Sequence, residues 1–368
     1  MMWARGHEAI TSSRSLISLS GPASVKFLQN LLSCDVAKLA ADPSPSLASG
    51  VFLSTKGRVI APAFLWKTAH NDKESNDKAF VLDVSRSLGS ELITHLNSYK
   101  LKRTKVDIED ITSRMSVHSI YGATVEAAEE AKKIPSIIGF MDPRCKALGV
   151  RVLGQSSLKL TDMIKEDVFP ASNGTYEVLR RICGLPDGLE TTNKLPLELN
   201  LELQNSIDFD KGCYLGQELT ARSFHTGILR KRAFPCLLLG VGDEIPSAWL
   251  DARTKKEGGV PRLPPPIVGT FMAMSEESES NFDSIETGMD VLLGNKKAGK
   301  VLTPPLAEGG VNVAVLQLRM ENVMKNFDCE KDGVVSIGGK EFRCLPYVPN
   351  WWPPIDLETG KPEEQGRE

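Results

Sequence analysis

The chain has no run of about 18 or more apolar residues, so its sequence offers no membrane-spanning helix. Charge of one sign is also lacking: 44 Lys and Arg stand against 47 Asp and Glu, a net charge of −3, and no global positive field argues for nucleic acid. There is no C-x-x-C pair, no His/Cys cluster at zinc spacing, no P-loop and no dinucleotide fingerprint, because Gly240-Val241-Gly242 is not followed by the third glycine. The seven cysteines are odd in number and scattered at 34, 145, 183, 213, 236, 329 and 344, which argues against a disulfide framework and for a reducing compartment. No repeat of solenoid length occurs.

What is present is an ordinary globular composition, 41% hydrophobic and 25% charged over 368 residues, enough for two or three domains with real cores. Residues 1–15 carry Arg5, Arg14 and several serines but also Glu8, and read as the end of an organellar transit peptide or as a ragged terminus. Ser20 and Pro22 predict a helix start, followed by Val25, Leu28, Leu31 and Leu32 at helical spacing. Val51-Phe52-Leu53 and Val59 to Trp66 flank Thr55-Lys56-Gly57 as a hairpin, in which Pro62 marks an edge or a bulge. His70 to Lys78 is a polar loop, Ala79 to Val84 a strand, Ser87 to Leu101 an amphipathic helix, and Val106 to Ile111 and Met115 to Tyr121 further strands. Val125 to Lys133 has helical composition, and Thr175 to Cys183 is a short helix ended by Gly184. After Arg232, short apolar runs split by glycine and proline (Cys236 to Val241, Val268 to Met272, Val291 to Leu293, Val311 to Leu318) predict a small all-β domain. Asp251 to Pro266 and Ser275 to Ser284 read as solvated insertions, Asn350 to Pro354 as a staple of the tail onto the barrel, and Glu358 to Glu368 as a disordered tail. The alternation of hairpins and packed helices predicts an α+β fold rather than a doubly wound sheet.

The most informative stretch is Lys211-Gly212-Cys213-Tyr214-Leu215-Gly216-Gln217-Glu218. It sets one cysteine between a lysine and a glycine, ahead of a helix predicted to begin near Gln217. Lys211, Arg222 and the helix start would each favour a thiolate over a thiol, whose ordinary pKa is about 8.5. Such a thiolate is able to ligate iron, receive persulfide or form a mixed disulfide. The alternative is a small buried hydrophobe, since free cysteines are often buried. Gly212 and Gly216 are candidates for backbone angles closed to other residues, and Gln217 and Glu218 for capping the helix and accepting from Lys211 or Arg222.

This stretch resembles the signature of the YgfZ-type proteins. Leu195 to Leu201, Asn205 to Phe209, and Leu219 to Phe234 with His225-Thr226-Gly227 and Arg230-Lys231-Arg232 are similar to the eukaryotic mitochondrial branch. Gly21 to Asp35 and Lys56-Gly57-Arg58 resemble the family's N-terminal region. The resemblance covers about Leu16 to Tyr347, and a long motif in the right order is rarely accidental. It implies the fold of the glycine-cleavage T-protein, a folate-dependent aminomethyltransferase: a folate-binding body of two intertwined lobes over 14–232, a C-terminal β-barrel over 233–350, and a tail over 351–368, with 1–13 as the ragged end. It implies a mitochondrial matrix protein, with the plastid as the alternative, acting late in 4Fe–4S maturation with A-type carriers for clients such as aconitase and lipoate synthase. It would bind tetrahydrofolate and be a monomer when free.

Within that resemblance, Cys213 would be the reactive or ligating thiol, assisted by Lys211. Fe–S clusters usually need about four protein ligands, so Cys213 alone holds none and any cluster would be shared with a partner. Glu198 and Asn200 would hydrogen-bond the pterin, or else backbone. Arg58 and Arg180 would hold folate's carboxylates, or else be solvated. Arg230-Lys231-Arg232 would do the same, meet an acidic partner, or be a solvated linker. His225 reads as a loop histidine rather than a ligand, and the other cysteines as structural. The departures are informative. Val59-Ile60-Ala61-Pro62 lacks the aspartate that the aminomethyltransferases carry, and Ile182 stands where they place an acidic residue near the pterin. Aminomethyl transfer needs a group to steer protons. The expectation is therefore an assembly factor without turnover, with a one-carbon transferase and a non-catalytic scaffold as alternatives.

Overall fold

The computed structural model describes residues 6–41, 46–68, 79–122, 137–157, 169–170, 174–245, 262–263, 281–306, 312–326, 333–356 and 358–363. The elements of the body are β1 (Gly6–Ala9), β2 (Arg14–Ser20), α1 (Ser24–Leu31), α2 (Val36–Ala41), β3 (Ser46–Leu53), β4 (Val59–Lys67), β5 (Phe80–Ser85), α3 (Gly89–Tyr99), β6 (Asp107–Asp110), β7 (Met115–Tyr121), β8 (Ile137–Met141), β9 (Val150–Gln155), β10 (Phe169–Pro170), α4 (Thr175–Ile182) and α5 (Gln217–Thr226). Then follow β11 (Lys231–Leu239), β12 (Arg262–Leu263), β13 (Asp290–Leu293), β14 (Lys296–Thr303), β15 (Val313–Arg319), α6 (Met320–Asn326), β16 (Val334–Ile337), β17 (Lys340–Pro346), β18 (Val348–Pro349), β19 (Ile355–Asp356) and β20 (Lys361–Pro362). The expected helix at Val125 to Lys133, the loop at His70 to Lys78, the run Val268 to Met272 and nearly all of the insertion at Asp251 to Pro266 fall outside the described residues.

The body is α+β and the chain does cross between two lobes. Strand β1 belongs to a five-stranded sheet ordered β10-β1-β7-β9-β8, whereas β2 to β6 form a second sheet ordered β3-β4-β5-β2-β6. Helices α1 to α3 bury Leu28, Leu31, Val36, Ala40, Leu92 and Leu96 against one face of the second sheet, as their 3.6-residue spacing requires. The other face meets the first sheet through Leu16, Phe64 and Trp66 against Val117, Leu153 and α4's Leu179. Strands β11, β15, β14, β13, β16 and β17 close into a barrel around Phe234, Leu316 and Phe342, so no edge is left open.

Pro62 lies within β4 opposite Val51. Pairing of β4 with β5 begins only at Ala63, so the nitrogen that cannot donate faces no ladder partner. The expected cap at Ser20 is not formed: Ser20 ends β2, and α1 starts four residues later behind Ala23 without a side-chain cap. The strand pairing of β2 with β6, Ser20 opposite Asp107, is the competing use of that residue.

Two further corrections concern the C-terminal part. Phe282 is buried in the barrel core, so the insertion Ser275 to Ser284 is anchored at its end. The tail is ordered to Glu363, with β19 pairing β20, because the carbonyl of Gly360 accepts from the buried guanidinium of Arg232 at 2.5 Å. Trp352 packs on Phe234, their ring centroids 5.5 Å apart, and the indole N–H of Trp351 donates to Cys183 O at 3.0 Å. These tryptophans tie the tail to both barrel and body.

A buried ion network joins the two sheets. Arg14 on β2 binds Asp83 at 2.6 Å and Asp187 at 2.8 Å, and Arg151 on β9 binds Asp83 at 2.7 Å. Arg144 and Arg151 stack on the Phe64 ring at 4.4 and 4.0 Å. Burial alone would raise the carboxyl of Asp83, but Arg14 and Arg151 more than reverse this and hold it below the ordinary range.

Candidate functional site

The 211–218 segment is pinned on both sides of its cysteine. The Lys211 ammonium donates to the carbonyls of Gln29 (2.7 Å), Leu32 (2.5 Å) and Cys34 (3.1 Å), where α1 ends and its last carbonyls have no intrahelical partner. Its nitrogen also lies 4.8 Å from the centre of the Tyr214 ring. Tyr214 is buried among Val51, Leu53, Leu197 and Leu229, and the Leu215 N–H donates to Asn30 O at 2.9 Å. Between these anchors Cys213 is exposed, whereas Cys34, Cys145, Cys183, Cys236 and Cys344 are buried. Burial pushes the Cys34 thiol up to about 12. Sequence reasoning placed Lys211 beside the Cys213 thiol; the carbonyls of α1 hold its ammonium instead.

Gly216 ends the loop with φ +78° and is the residue from which α5 starts. A side chain there would strike the carbonyl oxygen of Ser54 and lie 3.3 Å from Cα of Gly57. The Lys56-Gly57-Arg58 turn and the cysteine segment therefore touch backbone to backbone, a contact that only glycine permits. Gly212 has no such constraint, since a side chain there would meet open space. Gln217 caps the turn by accepting from Tyr214 N–H at 3.0 Å, and Glu218 is exposed.

The candidate folate contacts separate. Asn200 is fully buried at φ +61°; its amide donates to Ala233 O at 2.6 Å and its oxygen accepts from Arg232 at 2.8 Å. It serves the backbone and the Arg232 cluster rather than a ligand. Arg180 is buried, with ion pairs to Glu177 at 2.7 Å and Glu190 at 2.9 Å and a bond to Leu185 O. Its donors are engaged within the fold, so it is not a free clamp for carboxylates. Arg232 is likewise no solvated linker: it is wholly buried and pairs with Glu202 at 2.6 Å.

Glu198 remains. It is half-buried and lines a cavity of about 150 Å³ with Leu195, Thr220, Ser223 and Arg230. One carboxylate oxygen accepts from Gln317 at 2.7 Å. Burial raises its carboxyl above the ordinary range, opposed by Lys231, Gln317, Arg58 and Lys194. Burial, Lys300, Lys231 and Arg58 together lower the ammonium of Lys194, although Glu198 opposes them. The hydroxyl of Thr220, on the same cavity, is buried without a partner. Arg58 is exposed and donates to Asn193 O at 2.9 Å. Sequence reasoning missed Lys194, Lys231 as part of this set, Lys300, Gln317 and Thr220; each is near Glu198 only through the fold. Ala61 and Ile182 are wholly buried and bring no carboxylate. Phe209 and Phe224 stack at 3.8 Å with His225 edge-on to both. Among the described residues no group of three or more His, Cys, Asp or Glu could hold a metal ion.

The fold defines the class. The chain superimposes on the glycine cleavage system aminomethyltransferase T of Bartonella henselae with a TM-score of 0.55 at 12% identity, over 97% of this chain and 88% of that one. No protein-family model matches it. It is 28% identical over 385 residues to the mitochondrial iron–sulfur cluster assembly factor IBA57 homologue of Neurospora crassa, covering 97% of this chain and 83% of that protein. It is 34% identical to the homologue of the same name from Dictyostelium discoideum over 251 residues, 61% of each chain. The Mycosarcoma maydis homologue is 28% identical over 94% of this chain and 86% of its own length. Coverage of these relatives thus ranges from about three fifths to nearly nine tenths. These likenesses, in sequence to the mitochondrial IBA57 homologues and in fold to the T-protein, support a YgfZ-type protein. The relatives are mitochondrial by name, and the mitochondrion is the compartment of this chain too.

Proposed function

We propose that this chain is an iron–sulfur cluster assembly factor that presents Cys213 as one ligand of a cluster shared with an A-type carrier in the mitochondrial matrix, for 4Fe–4S clients such as aconitase and lipoate synthase. The observation that carries this reading is that Cys213 is exposed between two anchored residues, half-buried Lys211 and buried Tyr214, while the other described cysteines are buried. A thiolate so placed meets a partner's cluster without the body moving. The remaining ligands come from the carrier, since one cysteine does not satisfy a cluster.

The body would bind tetrahydrofolate at the Glu198 cavity. At about 150 Å³ the cavity has room for the pterin end alone, with the rest of the molecule lying outside it, and its polar residues fit that end. The second carboxylate oxygen of Glu198 and the unpartnered Thr220 hydroxyl suit the N–H edge of a pterin. Arg58, Lys194, Lys231 and Lys300 supply the positive charge that a glutamate tail requires. When bound, folate supplies a one-carbon carrier. The positions where the aminomethyltransferases carry acidic residues hold buried Ala61 and Ile182 here, with no proton-steering carboxylate, which favours binding over turnover.

The test is anaerobic: the pure protein is mixed with a cluster-loaded A-type carrier, and complex formation and visible absorption are followed for wild type and Cys213→Ser. A complex whose cluster spectrum depends on Cys213 supports the reading. A complex indifferent to the substitution makes the chain a scaffold.

A further inference from the structure

The carboxylate at the Glu198 cavity is held from the barrel. Paired residues of an antiparallel ladder point to the same side, as do residues two apart on one strand. Gln317 on β15 pairs with Ala233 on β11 and with Lys300 on β14, and Lys231 lies two residues before Ala233. These four residues therefore share one outer face of the barrel. Ala233 and Val315 on that face pack against Leu197, Leu199 and Leu201 of the body, in the segment that carries Glu198. The polar members of the face thus stand at the margin of a closed apolar contact, where Gln317 is only 5% exposed.

Glu198 lies in a 3-10 turn, Pro196–Leu199, and cations surround it. Lys231 faces it from β11, Arg58 from the hairpin turn and Lys194 from its own segment, while Arg230 lies on the cavity lining. Lys300 acts on Lys194 from β14, and Arg319, two residues beyond Gln317, is turned to Glu321 at 3.5 Å. Helix α5 brings only uncharged Leu219, Thr220 and Ser223 to the lining. Among the described residues none of these cations comes within 4 Å of the Glu198 carboxylate. Its partner is a neutral amide: Gln317 donates to Oε2 at 2.7 Å, and among the described residues Oε1 accepts from no group. An ammonium in that place would pair with the carboxylate and cancel its charge. An amide favours the charged form through a single N–H and leaves the charge for a ligand. The two oxygens of a carboxylate are rigidly joined, so fixing one also aims the other.

We infer that Gln317 is the positioning residue of this cavity: it fixes Glu198 as an ionised acceptor with one oxygen free, and so selects a ring that presents neighbouring N–H donors. One donor meets Oε1, and the buried, unpartnered hydroxyl of Thr220 is a second acceptor on the same lining. The inference rests on the folate reading for the identity of the ring, a pterin, and on geometry alone for the hold of Gln317 on Glu198.

The test uses the full chain and two variants. Gln317→Met keeps the length of the side chain and removes the donor, and Gln317→Glu sets a second carboxylate against the first. The Glu198 carboxyl is titrated by carbon NMR in the ligand-free protein, its signal identified by its loss in Glu198→Gln. Tetrahydrofolate affinity is measured calorimetrically over the same pH range, beside its 2-desamino-2-methyl analogue, which lacks one donor. Losing a donor to the charged form raises the pH at which a carboxylate takes its proton. The Glu198 midpoint should therefore rise by about one pH unit in Gln317→Met, and further in Gln317→Glu. The pH at which half the affinity is lost should rise with it, and the preference for tetrahydrofolate over the analogue should shrink. A Gln317 that merely packs would lower affinity equally at every pH and leave the midpoint in place, and that result overturns the inference. Wild-type protein that binds no tetrahydrofolate sinks the folate reading instead. The NMR midpoint then decides alone: a rise in Gln317→Met supports the hold on Glu198, and an unmoved midpoint overturns it.

Discussion

Gly57 and Gly216 meet backbone to backbone: a Cβ on Gly216 would lie 3.3 Å from Cα of Gly57, and one on Gly57 would lie 3.0 Å from the Gly216 carbonyl oxygen. A turn in the first 60 residues thereby fixes the end of the cysteine segment more than 150 residues later. Gly216→Ala is expected to destabilise by about 1–3 kcal/mol from its φ of +78° alone, with the collision added. Gly212→Ala, in open space, should change the melting temperature little. Thermal unfolding of the two variants side by side checks the contrast.

Cys213 should be the fastest of the described thiols to react with an aromatic disulfide reagent under native conditions, with the modified residue found by mass spectrometry. Rapid modification of Cys34, Cys145, Cys183, Cys236 or Cys344 would contradict their burial. Cys213→Ser should leave the unfolding midpoint unchanged while removing this reactivity.

Lys211→Ala is expected to cost stability rather than only chemistry. It leaves three carbonyls at the end of α1 without their donor, about 1–3 kcal/mol by ordinary hydrogen-bond loss. Denaturant unfolding measures it. A variant with unaltered stability would mean that the ammonium is elsewhere.

Arg232→Met removes one partner of the buried pair with Glu202 and frees the Gly360 carbonyl and Asn200. Removing one partner of a buried pair costs about 3–5 kcal/mol. Deleting residues 360–368 takes away one of these acceptors and should lower stability, which a disordered tail would not do.

Two pH effects run in opposite senses. Asp83 and Asp187 have folded-state values held below the ordinary carboxylate range, where arginine charges overcome burial. Their stabilisation is present above the unfolded value of about 4 and is lost as pH falls toward the folded values, so acid unfolding should begin below about pH 4. Glu198 is raised by burial. If its carboxylate holds a pterin edge, tetrahydrofolate affinity should fall on acidification while the fold is still intact, and Glu198→Gln should remove that dependence. Calorimetric titration across mildly acidic pH reads it.

The sequence by itself determined the local elements and the nature of the segment at Lys211 to Glu218. Helical spacing gave α1, α3 and α4 their buried faces, the alternation around Thr55-Lys56-Gly57 gave the hairpin of β3 and β4, and glycine before Gln217 gave the start of α5. The motif order also carried the family and, with it, the two lobes and the barrel. Only the tertiary structure decided which polar side chains are spent inside. Asn200 and Arg232 look like surface groups one by one, and become buried because Ala233 O and Gly360 O arrive from distant parts of the chain, whereas Arg180 is held by Glu177 on its own helix and by Glu190 beyond it. Lys211 reads as a neighbour of Cys213 along the chain, yet the end of α1, about 180 residues earlier, offers it three carbonyls that bulk solvent would otherwise have to satisfy. Spacing along a chain records periodicity; the partners of a charge are set by packing between elements that no local pattern relates.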